Sequence, residues 1–496
     1  MRNKSQLYPD FTAECAAIDT EGFTPGILDK IISKHGPCRQ CMLDLYDRYC
    51  VLDDAVPIFK RQPRFAEDRA AINNKINNDF FSEINDFKIG YFAGKPIAYS
   101  YNHSQDSEED TGGKGELEKA SKALSDFVAL NNFPDVDMEI TKFATVCGYA
   151  GRLFYHDELG RERIMVVPPF ESALLGDDIT APKYAVRYYS RSDLSGNTYW
   201  HAECYGDGPI KVFEGQPGNW APKDDIPNLY DSCPLQGIPN NGELLGDAEK
   251  VTSLIDAYDR ALSDQSNEVE AFSNSYLCFE NVKITDAEME KAQATGEFQY
   301  YTGQGKGNIH YLTKDATGEL NNKHLDRLED NIYRFSKTPN LNDEAFGTAS
   351  GIALKFRLTG LETKCGIFQA KMQSAATYMF QCISNAWSKK GITLDPLEVD
   401  LKFSRNFPLD LLSEAQSAQQ MIAAGLPKRV AYSLAFPEID DVDEVMEEIE
   451  SEKDGIPPLE DDSSPDNGTV KDDGGTANEG RAAKPAGAGA EDSRTS

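Results

Sequence analysis

Apolar side chains recur at helical spacing through most of the chain and shift to alternation in one internal region. Up to about Tyr91 the rhythm is helical. Ile27, Ile31 and Ile32 share a face, Met42, Leu43, Leu45 and Tyr46 form another, and Phe81, Ile84 and Phe87 step by three within residues 78–91. Gly90, Gly94 and Pro96 then break the pattern, and SQDSEEDTGGKGE (104–116) reads as an exposed loop. Residues 117–131 and 137–149 return to helix. From Gly151 to about Gly215 strands are predicted. LFYHDELGRERIMVV is a hairpin turning near 158–160, and KYAVRYYSRS, NTYWHAECY and PIKVFEG continue a small antiparallel sheet. GQPGNWAPKDDIP is rich in turn residues and reads as a loop.

A helix over 246–276 carries Val251, Leu254, Ile255, Tyr258, Leu262, Val269, Phe272 and Tyr276 on one stripe. Asp256, Asp259, Arg260, Ser263, Asn267 and Glu270 lie away from it. At 1.5 Å per residue this helix is about 45 Å long, too long for one small globule unless it packs in a larger array. Two strand-like pieces, YLCFENV and NIHYLT, flank the helix-like TDAEMEKAQA, and a polar helix follows over 320–335. After the break SKTPNLNDEAFGTASG, a very long helix runs over 352–387, with Gly360 and Gly366 as natural kink sites. LEVDLKFSR alternates as a strand, and short helices follow at 411–424, 428–436 and 442–452. The fold class expected is therefore α+β, mainly helical.

Composition narrows the function. The chain has 496 residues and a formal net charge of −32. Tight DNA binders neutralise phosphates with Lys and Arg, so this acidity argues against a gripping DNA protein, though not against one that DNA passes through. Beyond Phe436 there is no aromatic residue, and from about Ser451 the chain is rich in Asp, Gly, Ser and Pro, the signature of a disordered acidic tail. No apolar run of about 18 residues and no signal-like start appears, which predicts a protein made in a cytosol without a membrane span. The ten cysteines, mostly scattered singly, read as reduced packing residues.

Candidate chemistry is sparse. Cys38 and Cys41 form one CxxC, but only His35 lies near and no second pair exists, so packing is favoured over a metal or redox site. GQGKGN (303–308) lacks the Gly-Lys-Ser/Thr ending of a phosphate loop and precedes a strand. No histidine pairs with an evident nucleophile, so no catalytic residue, metal or cofactor is assigned.

Three segments together resemble the portal proteins of siphophage-type tailed bacteriophages: NNKINNDFFSEINDFKIGYFAGKPI (73–97), PNNGELLGDAEKVTSLIDAYDRALSDQSNEVEAFSNSYLCF (239–279) and PNLNDEAFGTASGIALKFRLTGLETKC (339–365). The resemblance spans roughly residues 25–452. It implies a non-enzymatic ring-forming subunit, usually one of twelve with thirteen also open, around a channel that passes double-stranded DNA at one capsid vertex. It implies an N-terminal arm (1–24), a wing (25–242 and 351–407), a stem of two helices (243–276 and 319–337), a clip (277–318), a tunnel loop (338–350), crown helices (408–452) and the tail (453–496). The partners implied are further copies of the chain, the terminase large subunit that hydrolyses ATP, the major capsid and scaffolding proteins, and a head-completion or neck adaptor. The virion is the implied location, after assembly in host cytoplasm.

On this resemblance, Thr338, Asn340, Asn342, Asp343, Glu344, Phe346, Thr348 and Ser350 would face DNA. Lys337, Lys355 and Arg357 would touch phosphates transiently, or serve as helix-end basics or intersubunit ion pairs. Val251, Leu254, Ile255, Tyr258 and Leu262 would meet the neighbouring stem, the polar face turning to the channel. Two other readings remain open: an intracellular nucleotide- or metal-dependent enzyme built on GQGKGN or the CxxC, and a monomeric adaptor acting through its acidic tail.

Overall fold

The computed structural model describes residues 2–63, 72–101, 111–273, 276–280, 308–312, 318–341, 351–406 and 411–436, with isolated positions between 285 and 291 and between 442 and 446. The chain divides into two units, Met1–Glu414 and Ala415–Ser496.

The first unit begins with α1 (Thr12–Glu21) and α2 (Pro25–Tyr49). Thr24 caps α2 by accepting from the Ile27 N–H, and Pro25 occupies the first turn, where no N–H is required. The helices α3 (Phe80–Ala93), α4 (Thr111–Leu130) and α5 (Phe133–Cys147) follow, with β1 (Ala98–Tyr101) between α3 and α4. The strand region holds two sheets, not one. The hairpin β2 (Tyr149–His156) and β3 (Glu162–Val167) is joined by β9 (Leu235–Pro239) in the order β3-β2-β9. The second is an antiparallel meander of β4 (Ser172–Leu175), β5 (Tyr184–Ser192), β6 (Thr198–Tyr205), β7 (Lys211–Gln216) and β8 (Asn219–Pro222). The stretch expected as a loop after β7 therefore contributes β8, turned by Gly218 at φ +88°. The two sheets, with α2, α3 and α5, enclose cores built on Val146, Tyr149, Leu174 and Leu235, and on Leu28, Val186, Tyr188 and Cys204.

α6 (Thr252–Ser273) leads into the antiparallel pair β10 (Tyr276–Glu280) and β11 (Asn308–Leu312), and α7 (Gly318–Ser336) returns. α8 (Gly351–Ser388) is one unbroken helix. Its stripe of Leu358, Leu361, Cys365, Phe368, Met372, Ala375, Met379 and Ile383 is fully buried at three- and four-residue steps. β12 (Val399–Lys402) pairs antiparallel with β1, closing a sheet between residues three hundred positions apart. α9 (Leu411–Ala423) crosses into the second unit, which also holds α10 (Lys428–Ala435), with Ala431 and Ala435 buried.

The first residues are not a free arm. The Arg2 guanidinium bonds Glu249 at 2.7 and 3.0 Å and the Cys147 carbonyl at 2.9 Å, with both charged side chains buried. The Tyr8 hydroxyl donates to the Leu174 carbonyl and accepts from the Leu174 N–H. Removing one partner of a buried ion pair strands the other charge. Arg2→Ala is therefore expected to lower unfolding free energy by about 3 kcal/mol, read from urea melts of the full chain. An unchanged midpoint would show that Arg2 is not part of the fold.

Candidate functional site

The two helices expected as a stem pair side by side. The Gln265 amide donates to Asn322 at 3.0 Å, and both Tyr258 and Tyr333 stand edge-on to Phe80, at 5.0 and 5.7 Å. α7 buries Leu325, Leu328, Ile332 and Ser336 along one face, and the Tyr333 hydroxyl donates to the Glu83 carboxylate. Val251 and Ile255 are fully buried in this chain's own core, where Leu254 and Tyr258 also pack, and Leu262 is half-buried. A side chain with no surface left has none to offer a neighbour, so Val251 and Ile255 drop out of the expected subunit contact.

The polar face of α6 also differs from expectation. Arg260 and Glu270 are exposed, but the stretch of that face between them does not stand open to solvent. An extended segment, 74–78, lies antiparallel along it. The Asn74 N–H donates to the Asn267 carboxamide at 2.7 Å, the Ile76 N–H to the Ser263 hydroxyl at 3.0 Å, and the Asn78 N–H to the Asp259 carboxylate at 2.9 Å. The match is geometric. Four residues of helix advance about 6.0 Å, and two residues of extended chain advance about 6.6 Å. Acceptors at every fourth helical position thus meet donors at every second extended one. Asp259 and Ser263 are buried by this clasp. Arg48 and Arg61 pair with Asp256 and Asp264 beside it. Asp259→Ala would leave the Asn78 N–H buried without its acceptor. It is expected to lower stability by about 2 kcal/mol in denaturant melts, whereas Asp259→Asn, which keeps an acceptor, should recover most of that. Equal losses in both variants would count against the clasp.

The entry to the expected tunnel loop is built with care. α7 ends at Ser336, and Lys337 adopts a left-handed conformation at φ +60°. Thr338 is buried, its N–H bonded to the Ser336 hydroxyl, and the Asn340 amide donates back to Glu329 at 3.0 Å. One of the two glycines expected to kink α8 has another use: a Cβ on Gly360 would sit 3.2 Å from the Lys337 Cβ, a tight contact that the turn would have to shift slightly to admit. Asn342, Asp343, Glu344, Phe346, Thr348 and Ser350 lie outside the described residues, as does the side chain of Lys355. So do most of the clip and all of GQGKGN before Asn308. Arg357 is exposed on α8.

Next to this turn lies a charged joint that sequence reasoning missed. Asp247 forms ion pairs with Lys88 at 2.8 Å and with Lys364 at 3.0 Å, tying α3 and α8 to the segment before α6. Gly246 allows it, since a Cβ there would lie 2.3 Å from the Val146 carbonyl oxygen. Nothing in the spacing of the two lysines announced that they share one carboxylate.

Cys38 and Cys41 face inward on α2. Burial pushes the Cys38 thiol up to about 11, against the nearby Arg2 charge, and drives the His35 imidazole down to about 3. A protonated thiol packed in a core is a poor metal ligand or nucleophile. Among the described residues no group of His, Cys, Asp and Glu side chains is placed to hold a metal, and no helix is long and apolar enough to cross a membrane.

The chain is 23% identical over 407 residues to the portal protein of Bacillus phage SPP1, covering 78% of this chain and 77% of that one. It is 21% identical over 395 residues to the portal protein of Clostridium phage phiCD119, covering 75% of this chain and 83% of that one. The profile of the family described as "Phage portal protein, SPP1 Gp6-like" matches residues 35–458, most of the sequence, and the chain belongs to that family of structural, non-enzymatic phage portal proteins.

Proposed function

We propose that twelve copies of this chain close into a ring through which double-stranded DNA enters and leaves the capsid. In this reading α6 and α7 form the stem, and the region between β10 and β11 forms the clip. The clip docks the terminase large subunit during packaging and a neck adaptor afterwards. The wing meets the major capsid and scaffolding proteins, and α9 and α10 belong to the crown. The segment from Thr338 to Ser350 projects towards the axis, with Lys337, Lys355 and Arg357 at its base within reach of passing phosphates. The family match over residues 35–458 carries this reading.

The acidity of the chain suits the role. Each phosphate neutralised by a fixed cation releases counterions and acts as a brake on sliding, so a largely acidic wall keeps passage smooth. Native mass spectrometry with negative-stain imaging of the purified chain tests the ring. Closed particles of twelve or thirteen subunits with a central hole are expected. A stable monomer at high concentration would sink the proposal.

A further inference from the structure

Between α3, the segment before α6, the end of α7 and α8 lies a cavity of about 180 Å³. Four lysines line it, Lys88, Lys250, Lys337 and Lys364, each from a different stretch of chain, against two carboxylates, Asp247 and Glu243. In a chain with 82 acidic and 50 basic residues this local excess of cations runs against the trend.

The inner half is already short of negative charge. Lys88 is buried, bonded to Asn240 at 2.5 Å and to Asp247 at 2.8 Å, and lies 5.0 Å from the centre of the Phe368 ring. Lys364 is mostly buried and shares the same Asp247. Two ammonium groups thus depend on one carboxylate, and buried charge without a counter-charge is costly. The Lys364 amine is held below its ordinary range by burial, which outweighs Asp247, with the Lys88 and Lys337 charges adding to the effect. At the mouth, Lys250 and Lys337 are exposed, and neither pairs with a carboxylate among the described residues.

We propose that this cavity binds a phosphate group, with Lys364 at its floor and Lys250 and Lys337 closing over it. The fourfold lysine lining supplies point charges of the kind phosphate oxygens accept from, and the volume admits one tetrahedral oxyanion with water. The phosphate can be a backbone phosphate of DNA at the tunnel turn or a free anion. The first case rests on the channel reading above, and the second does not.

The test is lysine acetylation of the assembled full-length protein, read residue by residue by mass spectrometry. It is run with inorganic phosphate, with a short unphosphorylated DNA duplex, and with chloride at matched ionic strength. Phosphate is expected to slow labelling of Lys250, Lys337 and Lys364 several-fold more than that of exposed Lys323, with chloride giving no such difference. In Lys250→Gln/Lys337→Gln, the protection of Lys364 should require at least tenfold more phosphate. Protection by both phosphate and duplex assigns the site to DNA. Protection by phosphate alone keeps the site and assigns it to a free anion. Protection no greater than at Lys323, or equal protection by chloride, overturns the proposal. Protection of Lys337 by duplex without Lys250 or Lys364 overturns the cavity while leaving the channel reading standing.

Discussion

Aspartate at Leu320, Phe356 and Ile367 is expected to leave the chain folded and abolish its assembly. These side chains sit on α7 and α8 and are 66%, 76% and 47% exposed in the single chain. Three large apolar groups facing water on helices whose other apolar faces are buried are surface that a neighbouring copy would cover. In an isolated chain an exposed substitution shifts stability by only about 0.5 kcal/mol. In a ring the same aspartate is buried at every interface. A loss of only about 2 kcal/mol per contact weakens each association roughly thirtyfold, and closure multiplies that loss around the ring. Circular dichroism melts should therefore match the unmodified chain, while native mass spectra should shift from ring to monomer. Rings that form normally with all three changes would place the subunit contact elsewhere. Aspartate at Leu254 and Tyr258 is a poorer test. Tyr258 packs edge-on against Phe80 in the chain's own core, so lost folding and lost assembly would not be separable there.

The sequence made the strongly periodic elements legible because each buries one continuous stripe. The stripe on α8 and the alternation in β5, β6 and β7 could be read to within a few residues. β4 and β9 escaped because every residue in them is buried, so SALL and LQGIP show no alternation to detect. β8 was hidden by the turn residues Pro217, Gly218 and Asn219 that make its hairpin.

The misreading of α6 has a deeper cause. Hydrophobic periodicity separates apolar from polar faces, but it does not say whether a polar face meets water or another part of the backbone. Asp259, Ser263 and Asn267, spaced by four, were visible, as was the run NNKINN. That one accepts hydrogen bonds from the other depends on a contact nearly two hundred residues apart. The same limit hid the joint at Asp247. The family resemblance supplied the ring and the channel, which nothing in the composition of a single chain encodes. The break between the two long helices was legible by position, whereas the contacts of Thr338 and Asn340, and of Gly360 with Lys337, required the fold.

Removing residues 341–349 is expected to spare the ring and impair DNA packaging. Asn340, just before the cut, is bonded back to Glu329 on α7, so the deletion spares that contact. The deleted stretch, LNDEAFGTA, carries two acidic residues and no basic one. Its loss removes no cation that could attract the duplex, so a deficit in packaging would not come from a lost phosphate contact. The yield of DNA-filled heads should fall by about tenfold or more, equivalent to at least ~1.4 kcal/mol lost from productive translocation or retention. Nuclease-protected DNA per particle is the measurement, with ring assembly checked on the same preparation. Heads that fill and hold DNA normally would refute the tunnel role. Rings that no longer form would instead make this segment part of the subunit contact. Lys337→Gln separates the two physical effects, because it removes charge at the base of the segment and leaves its length intact. If charge rather than steric engagement governs passage, that single change should reproduce the packaging defect and the deletion should not exceed it.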